Sequence, residues 1–184
     1  MKNVIFRCVG CVLFFIFILA SDLYAETYIV KKVIEGDLFE LSNGDMVRLI
    51  GIDAPDSQPT GRAKMFAERS GKKLNDILAV GKRAKKFVQQ LIEGKEVRLE
   101  FDRVDRDKDS KILAYVYDVG TYRNKKDVFA PPEYFLVNHD IFINATIIKS
   151  GYASPLMIPP NVKYVRLFKK LFNEAKINKR GLWE

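Results

Sequence analysis

The chain has almost none of the side chains on which thiol and imidazole chemistry depend. Its two cysteines, Cys8 and Cys11, both lie in the first 25 residues. Residues 26–184 therefore offer neither a disulfide nor a thiolate nucleophile. One histidine is present, His139, which excludes histidine-rich metal centres and leaves little for a serine and histidine couple; it reads as a surface loop residue. Long apolar runs are also scarce. The longest, Val9 to Ala20, is 12 residues, whereas a helix crossing a bilayer needs about 20. With Lys2 and Arg7 ahead of it and Leu23-Tyr24-Ala25 behind, this run has a signal-peptide layout with cleavage after Ala25, an uncut N-terminal anchor being the alternative.

What remains in quantity is carboxylate and cationic nitrogen, the groups suited to hard cations and phosphate. The formal net charge is +8 and is unevenly spread: between Gly61 and Lys86 nine basic residues face only Glu68 and Asp76, a net +7. Such a stretch would attract a polyanion, or it is a solvated helix face. Residues 26–184 are long enough for a single domain with its own core and short for two.

Short strands are predicted over Tyr28 to Ile34, Leu38 to Leu41 and Met46 to Ile52, with Asn43-Gly44 as a hairpin signal between the second and third. Val97, Leu99 and Phe101 alternate with Arg98, Glu100 and Asp102 as a half-buried strand should, and Ile112 to Val119 makes a fifth. Ala84, Phe87, Val88, Leu91 and Ile92 fall at helical spacing before Gly94, and Val165, Phe168, Phe172 and Ala175 form a second stripe. Residues 56–80 and 119–140 fit neither pattern, and Pro131-Pro132 marks the latter as a loop or extended hairpin. The class expected is α+β, mainly β: a small five-stranded barrel with helices packed on it.

Glu35-Gly36-Asp37, Arg48 and Ile52-Asp53-Ala54-Pro55-Asp56 gather four carboxylates and a guanidinium into one hairpin-connected unit. Carboxylates from separate strand ends can converge on a hard cation, with Arg48 facing a phosphate. Equally, Asp and Gly favour turns, and Arg48 could pair with Asp45 at the surface.

These residues carry a resemblance. Gly36-Asp37, Arg48-Leu49 and Ile52-Asp53-x-Pro55, followed by Asp107-Lys108 and Leu113-Ala114-Tyr115-Val116-Tyr117, resemble the two signatures of the staphylococcal nuclease (thermonuclease) family. Gly151-Tyr152-Ala153 and Gly181-Leu182-Trp183 echo it further on, so the resemblance runs in order from about Tyr28 to Trp183. It implies an oligonucleotide-binding (OB) barrel and calcium-dependent hydrolysis of DNA and RNA that leaves 3′-phosphate ends. By the same resemblance Asp37 and Asp53 are the metal carboxylates, Ala54 ligates through its carbonyl, and Arg48 binds the phosphate and stabilises its transition state. Alternation from Arg48 to Asp53 would put the two on opposite faces, so a bulge or turn near Gly51 is required.

Departures fall on the chemistry. Asp56 stands where the family has a glutamate general base, one methylene longer, and Ser110-Lys111 where it has a glycine followed by a second arginine. Glu35 and Leu38 replace an aspartate and a threonine beside the metal carboxylate, Asp109 replaces a tyrosine, and Arg103 or Arg106 is a candidate substitute for the missing guanidinium. The expectation is an exported calcium nuclease, slowed at Asp56 and Lys111, acting as a monomer on single-stranded DNA or RNA and free of the membrane once its leader is cut. Its rivals are a nucleic-acid-binding module without hydrolysis and a structural envelope protein that uses the barrel for protein contacts.

Overall fold

A bent first strand starts the barrel. In the computed structural model, which describes residues 26–121, 132 and 134–184, β1 (Thr27–Glu35) pairs through Thr27–Ile29 with β5 (Glu96–Glu100) and through Val30–Glu35 with β2 (Leu38–Leu41). Register shifts at Val30/Lys32 and Val33/Glu35 mark two irregularities in that second ladder, and such bulges bend and twist a strand enough to let it serve two neighbours around a corner. The expected leader lies outside the described residues, as do residues 122–131 and 133 of the second expected loop.

The Asn43-Gly44 turn is present, with Gly44 at φ 91°, and returns the chain as β3 (Met46–Leu49). β3 then pairs in parallel with β6 (Ile112–Asp118) at Val47/Ile112, Arg48/Leu113 and Leu49/Ala114. This contact closes the sequence β3-β2-β1-β5-β6 into a five-stranded barrel. Val30, Val33, Phe39, Leu41, Val47, Val97, Ala114 and Val116 are fully buried in its core. A short hairpin, β7 (Leu136–Val137) and β8 (Asp140–Phe142), extends the sheet beyond β6, and His139 lies exposed in its turn.

The strand expected over Met46 to Ile52 is broken in two. Gly51 adopts φ 79°, and the chain resumes as β4 (Ile52–Asp53), which pairs with β9 (Ser154–Pro155). A side chain at Gly51 would also collide with Phe168, whose Cε2 lies 2.6 Å from the position of an added Cβ. The turn is pinned from inside by the fully buried Asn144, whose amide donates to the Ile50 carbonyl at 2.9 Å and whose oxygen accepts the Val116 amide at 3.0 Å.

Residues 56–80 are more regular than expected. They hold helix α1 (Gly61–Ser70) and the beginning of α2 (Leu74–Ile92). Thr60 caps α1 by accepting the Ala63 amide at 3.1 Å, and Gly71 ends it in the left-handed region at φ 66°. Its buried stripe is only Ala63, Phe66 and Ala67, too short for periodicity to reveal against so many basic residues. Phe66 and Ala67 join Ile77, Val80 and Leu182 in a small second core. The stripe on α2 packs as expected, with Ala84, Val88, Leu91 and Ile92 buried. Helices α3 (Ile143–Lys149) and α4 (Val165–Ile177) pack together, and α3 also meets β6.

Candidate functional site

Three oxygens from two separate turns meet at one point. Asp37 sits in the β1–β2 turn and is 2% exposed, and Asp53 and Ala54 follow the Gly51 turn. Asp37 Oδ2, Asp53 Oδ1 and the Ala54 carbonyl lie 2.8, 3.0 and 3.1 Å from a single nitrogen, Nη2 of Arg62 on α1. Among the described residues no group of three or more His, Cys, Asp or Glu side chains is placed to hold a metal ion. The donor set here is two carboxylates and one carbonyl, and the positive charge at its centre belongs to the protein.

The second Asp53 oxygen, Oδ2, accepts from Arg69 Nη2 at 2.5 Å. Arg62 and Arg69 are seven residues apart, two helical turns, and so share a face of α1. Arg48 approaches from β3, its Nη1 3.5 Å from Asp37 Oδ2 and its Nε 3.8 Å from Asp107 Oδ2. The surface pairing with Asp45 is not formed, since Asp45 is held instead by Asn43. Burial is the strongest influence on Asp37 and raises its pKa against the pull of Arg62 and Arg48. Burial would weaken the Arg62 proton affinity, but Asp37, Asp56 and Asp53 outweigh it and hold the guanidinium firmly protonated.

Whether this set suits a hard cation can be judged from Asp37. Its Oδ1 is buried without a hydrogen-bond partner, and a buried acceptor of that kind normally finds one. All three converging donors are oxygens, the ligand type that calcium takes along with waters. Asp37, Asp53 and the Ala54 carbonyl therefore fit such an ion in chemistry, at the point that Arg62 Nη2 occupies.

The remaining expected residues are placed less directly. Asp56 is 6% exposed, and its carboxylate accepts from the Thr60 hydroxyl and lies 3.5 Å from Arg62 Nε. Lys111 directs its ammonium to Asp109 at 2.9 Å and to Asp107 at 4.0 Å. Ser110 takes φ 62°, the left-handed conformation that glycine adopts most readily, consistent with its standing where the resemblance has glycine. Arg106 is turned to the Ser110 carbonyl at 2.8 Å. Sequence reasoning missed Arg62 and Arg69. Thr60 and Gly71 were the available signal, since together they delimit a helix that presents both arginines on one side.

Asp37, Arg48, Asp53, Arg62, Arg69 and Asp107 all line one cleft of about 570 Å³. Apolar side chains line it too, among them Met65 and Ile158, 61% and 63% exposed. A cleft with two buried carboxylates, several guanidinium groups and accessible apolar surface can take a phosphate ester bearing a flat or apolar group.

Comparison with known proteins finds similarity to thermonucleases and an endonuclease. The sequence is 29% identical over 168 residues to a thermonuclease of Staphylococcus intermedius, covering 90% of this chain and 80% of that one. It is 25% identical over 166 residues to the thermonuclease of Staphylococcus hyicus, covering 89% and 79%. With the SPbeta prophage-derived endonuclease YokF of Bacillus subtilis it shares 29% over 160 residues, 84% of this chain but 43% of that longer one. Residues 46–184 match the profile of staphylococcal nuclease homologues, and the chain belongs to the staphylococcal nuclease family.

Proposed function

We propose that this protein is an exported, monomeric calcium-dependent nuclease that hydrolyses phosphodiester bonds of DNA or RNA, preferring single strands, with turnover limited by Asp56 and Lys111. The observation that carries the reading is the convergence of Asp37 Oδ2, Asp53 Oδ1 and the Ala54 carbonyl on one cationic point, beside Arg48 in an open cleft.

Asp37, Asp53 and the Ala54 carbonyl would hold the calcium. Bound there, calcium would supply Lewis-acid polarisation of a phosphate oxygen. Arg48 makes paired hydrogen bonds to the phosphate, and its fixed charge counts most when negative charge builds on the phosphorus oxygens. Asp56 takes the proton of the attacking water, in competition with the hydrogen bond it accepts from Thr60 and its ion pair with Arg62. Lys111 adds positive potential from beside Asp107, the second partner of Arg48. The signal-peptide layout of residues 1–25 supports export, and intact-mass analysis of exported protein should give a start near Glu26. Among the described residues no helix is long and apolar enough to cross a membrane.

A second reading is a binding module that holds nucleic acid without cutting it. It is favoured by the engagement of Asp56 with Thr60 and of Lys111 with Asp109. Incubating purified protein with single-stranded DNA separates the two. Cleavage with calcium and none with chelator supports the nuclease, and binding without cleavage in both supports the module.

A further inference from the structure

We infer that Arg62 is a competitor built into the metal site: its guanidinium occupies the calcium position and has to leave before the ion can enter. This inference rests on the calcium reading above. Nη2 of Arg62 is within 3.1 Å of all three oxygens assigned to the metal. Two cations cannot share one point, so the same oxygens serve either the guanidinium or the ion. Binding of one must then weaken the other by an equal factor.

The contact is placed by the fold and not by an accident of a loose side chain. Helix α1 is fixed at its start by the Thr60 cap and along its buried face by the second core of Phe66, Ala67, Ile77, Val80 and Leu182. The Arg62 side chain itself is 36% exposed and lines the open cleft. It can therefore turn outward by side-chain rotation while α1 stays in place. Arg69 differs in kind: it lies over the Phe66 ring and meets Oδ2 of Asp53, not the Oδ1 that joins the three-oxygen point.

The difference between the two arginines supplies the test. Calcium binding to the purified protein is measured by isothermal titration for wild type, Arg62→Met, Arg62→Gln and Arg69→Met, with melting in chelator as a check that each is folded. Losing a charged hydrogen-bonding competitor should tighten calcium binding by about tenfold or more in both Arg62 variants. Arg69→Met, which removes the same charge from beside the same Asp53, should change it by less than about threefold. The calcium-induced rise in melting temperature should grow in the same order. If all four proteins bind calcium alike, or if Arg69→Met gains as much as Arg62→Met, the competition is overturned while the calcium reading stands. If none binds calcium, both fall together. Binding by the Arg62 variants alone, with wild type silent at millimolar calcium, would be its clearest support.

Discussion

Glu35 and Ser57 are joined twice, the Ser57 amide donating to Oε2 at 2.8 Å and its hydroxyl to Oε1 at 3.0 Å. The pair ties the end of β1 to the loop that carries Asp53, Ala54 and Asp56. From the other side, that loop packs on α2 so closely that a Cβ on Gly81 would lie 2.2 Å from the Asp56 carbonyl. Glu35 thus holds the loop instead of reaching the converging oxygens. Glu35→Ala should cost about 1.5–3 kcal/mol of stability, the range for hydrogen bonds to a charged group. Urea unfolding measures it, and the calcium-induced stabilisation should shrink with it; a variant as stable as wild type would remove Glu35 from this role.

Asp37 offers the most direct test of a metal. It is almost wholly buried, with one oxygen on Arg62 and the other unpartnered. An ion that binds only the folded site must raise the melting temperature, by about 2.7 kcal/mol of stability at 100 times Kd. Asp37→Asn keeps the shape but gives up the charge, and it should abolish the rise. A melting temperature unchanged at millimolar calcium in both wild type and Arg62→Met would refute metal binding at Asp37.

Alkaline stability depends on a different cluster. The Tyr117 hydroxyl meets Glu100 Oε2 and the Tyr164 hydroxyl, each at 3.1 Å, and Tyr115 donates to Asp102 Oδ2 at 3.1 Å. Burial first, and these neighbours second, push both Tyr115 and Tyr117 above the ordinary phenol range. A pKa raised on folding gives stability that is complete below the unfolded value and is lost as pH climbs toward the folded one. Tyrosinate absorbance of these two should therefore appear together with the loss of circular dichroism above pH ~10, and Tyr117→Phe should move that transition to higher pH.

The contrast between Gly51 and α1 shows what was legible. Placing Arg48 and Asp53 on one side demanded a break between them, a local argument, and Gly51 at φ 79° makes it. The barrel strands and the α2 stripe were readable because their apolar periods are strong, although β5 ends at Glu100 and leaves Phe101, expected on its buried face, 49% exposed. Helix α1 was not: a stripe of Ala63, Phe66 and Ala67 is short, and Met65 beside it is exposed. The inward turn of Arg62 and Arg69 depends on where α1 lies relative to Asp37 and Asp53, which no spacing along the chain reveals. Strands of two residues, β4, β7 and β9, exist only through their partners.

The basic stretch divides into two roles. Arg62 and Arg69 face the carboxylates, whereas Lys82, Arg83 and Lys86 are exposed along α2. The exposed set is the one proposed to meet a phosphate backbone. Affinity for single-stranded DNA should fall steeply with salt, and reversing Lys82, Arg83, Lys85 and Lys86 to glutamate should flatten the slope by about 0.7 for each phosphate no longer neutralised. Filter binding across a salt series decides it, and equal slopes would leave that face merely solvated.

Asp56 and Lys111 are the two side chains proposed to limit turnover. Asp56 is one methylene shorter than the glutamate of the resemblance and is drawn toward Thr60 and Arg62. Asp56→Glu can keep the loop where Glu35 and Gly81 place it while extending the carboxylate. A gain of ~1.4 kcal/mol in transition-state contacts would appear as a tenfold increase in rate. Lys111→Arg restores a bidentate fork, but Asp109 holds the present ammonium at 2.9 Å and would hold a guanidinium too. Alone it should gain less than Asp56→Glu, and combined with Asp109→Asn it should gain more. The sites act on one transition state, so their effects need not multiply. Calcium-dependent cleavage is to be compared at saturating metal and matched folding. If wild type and every variant are inert while nucleic acid still binds, the loss of hydrolysis lies deeper than these two side chains, and the barrel is a binding module.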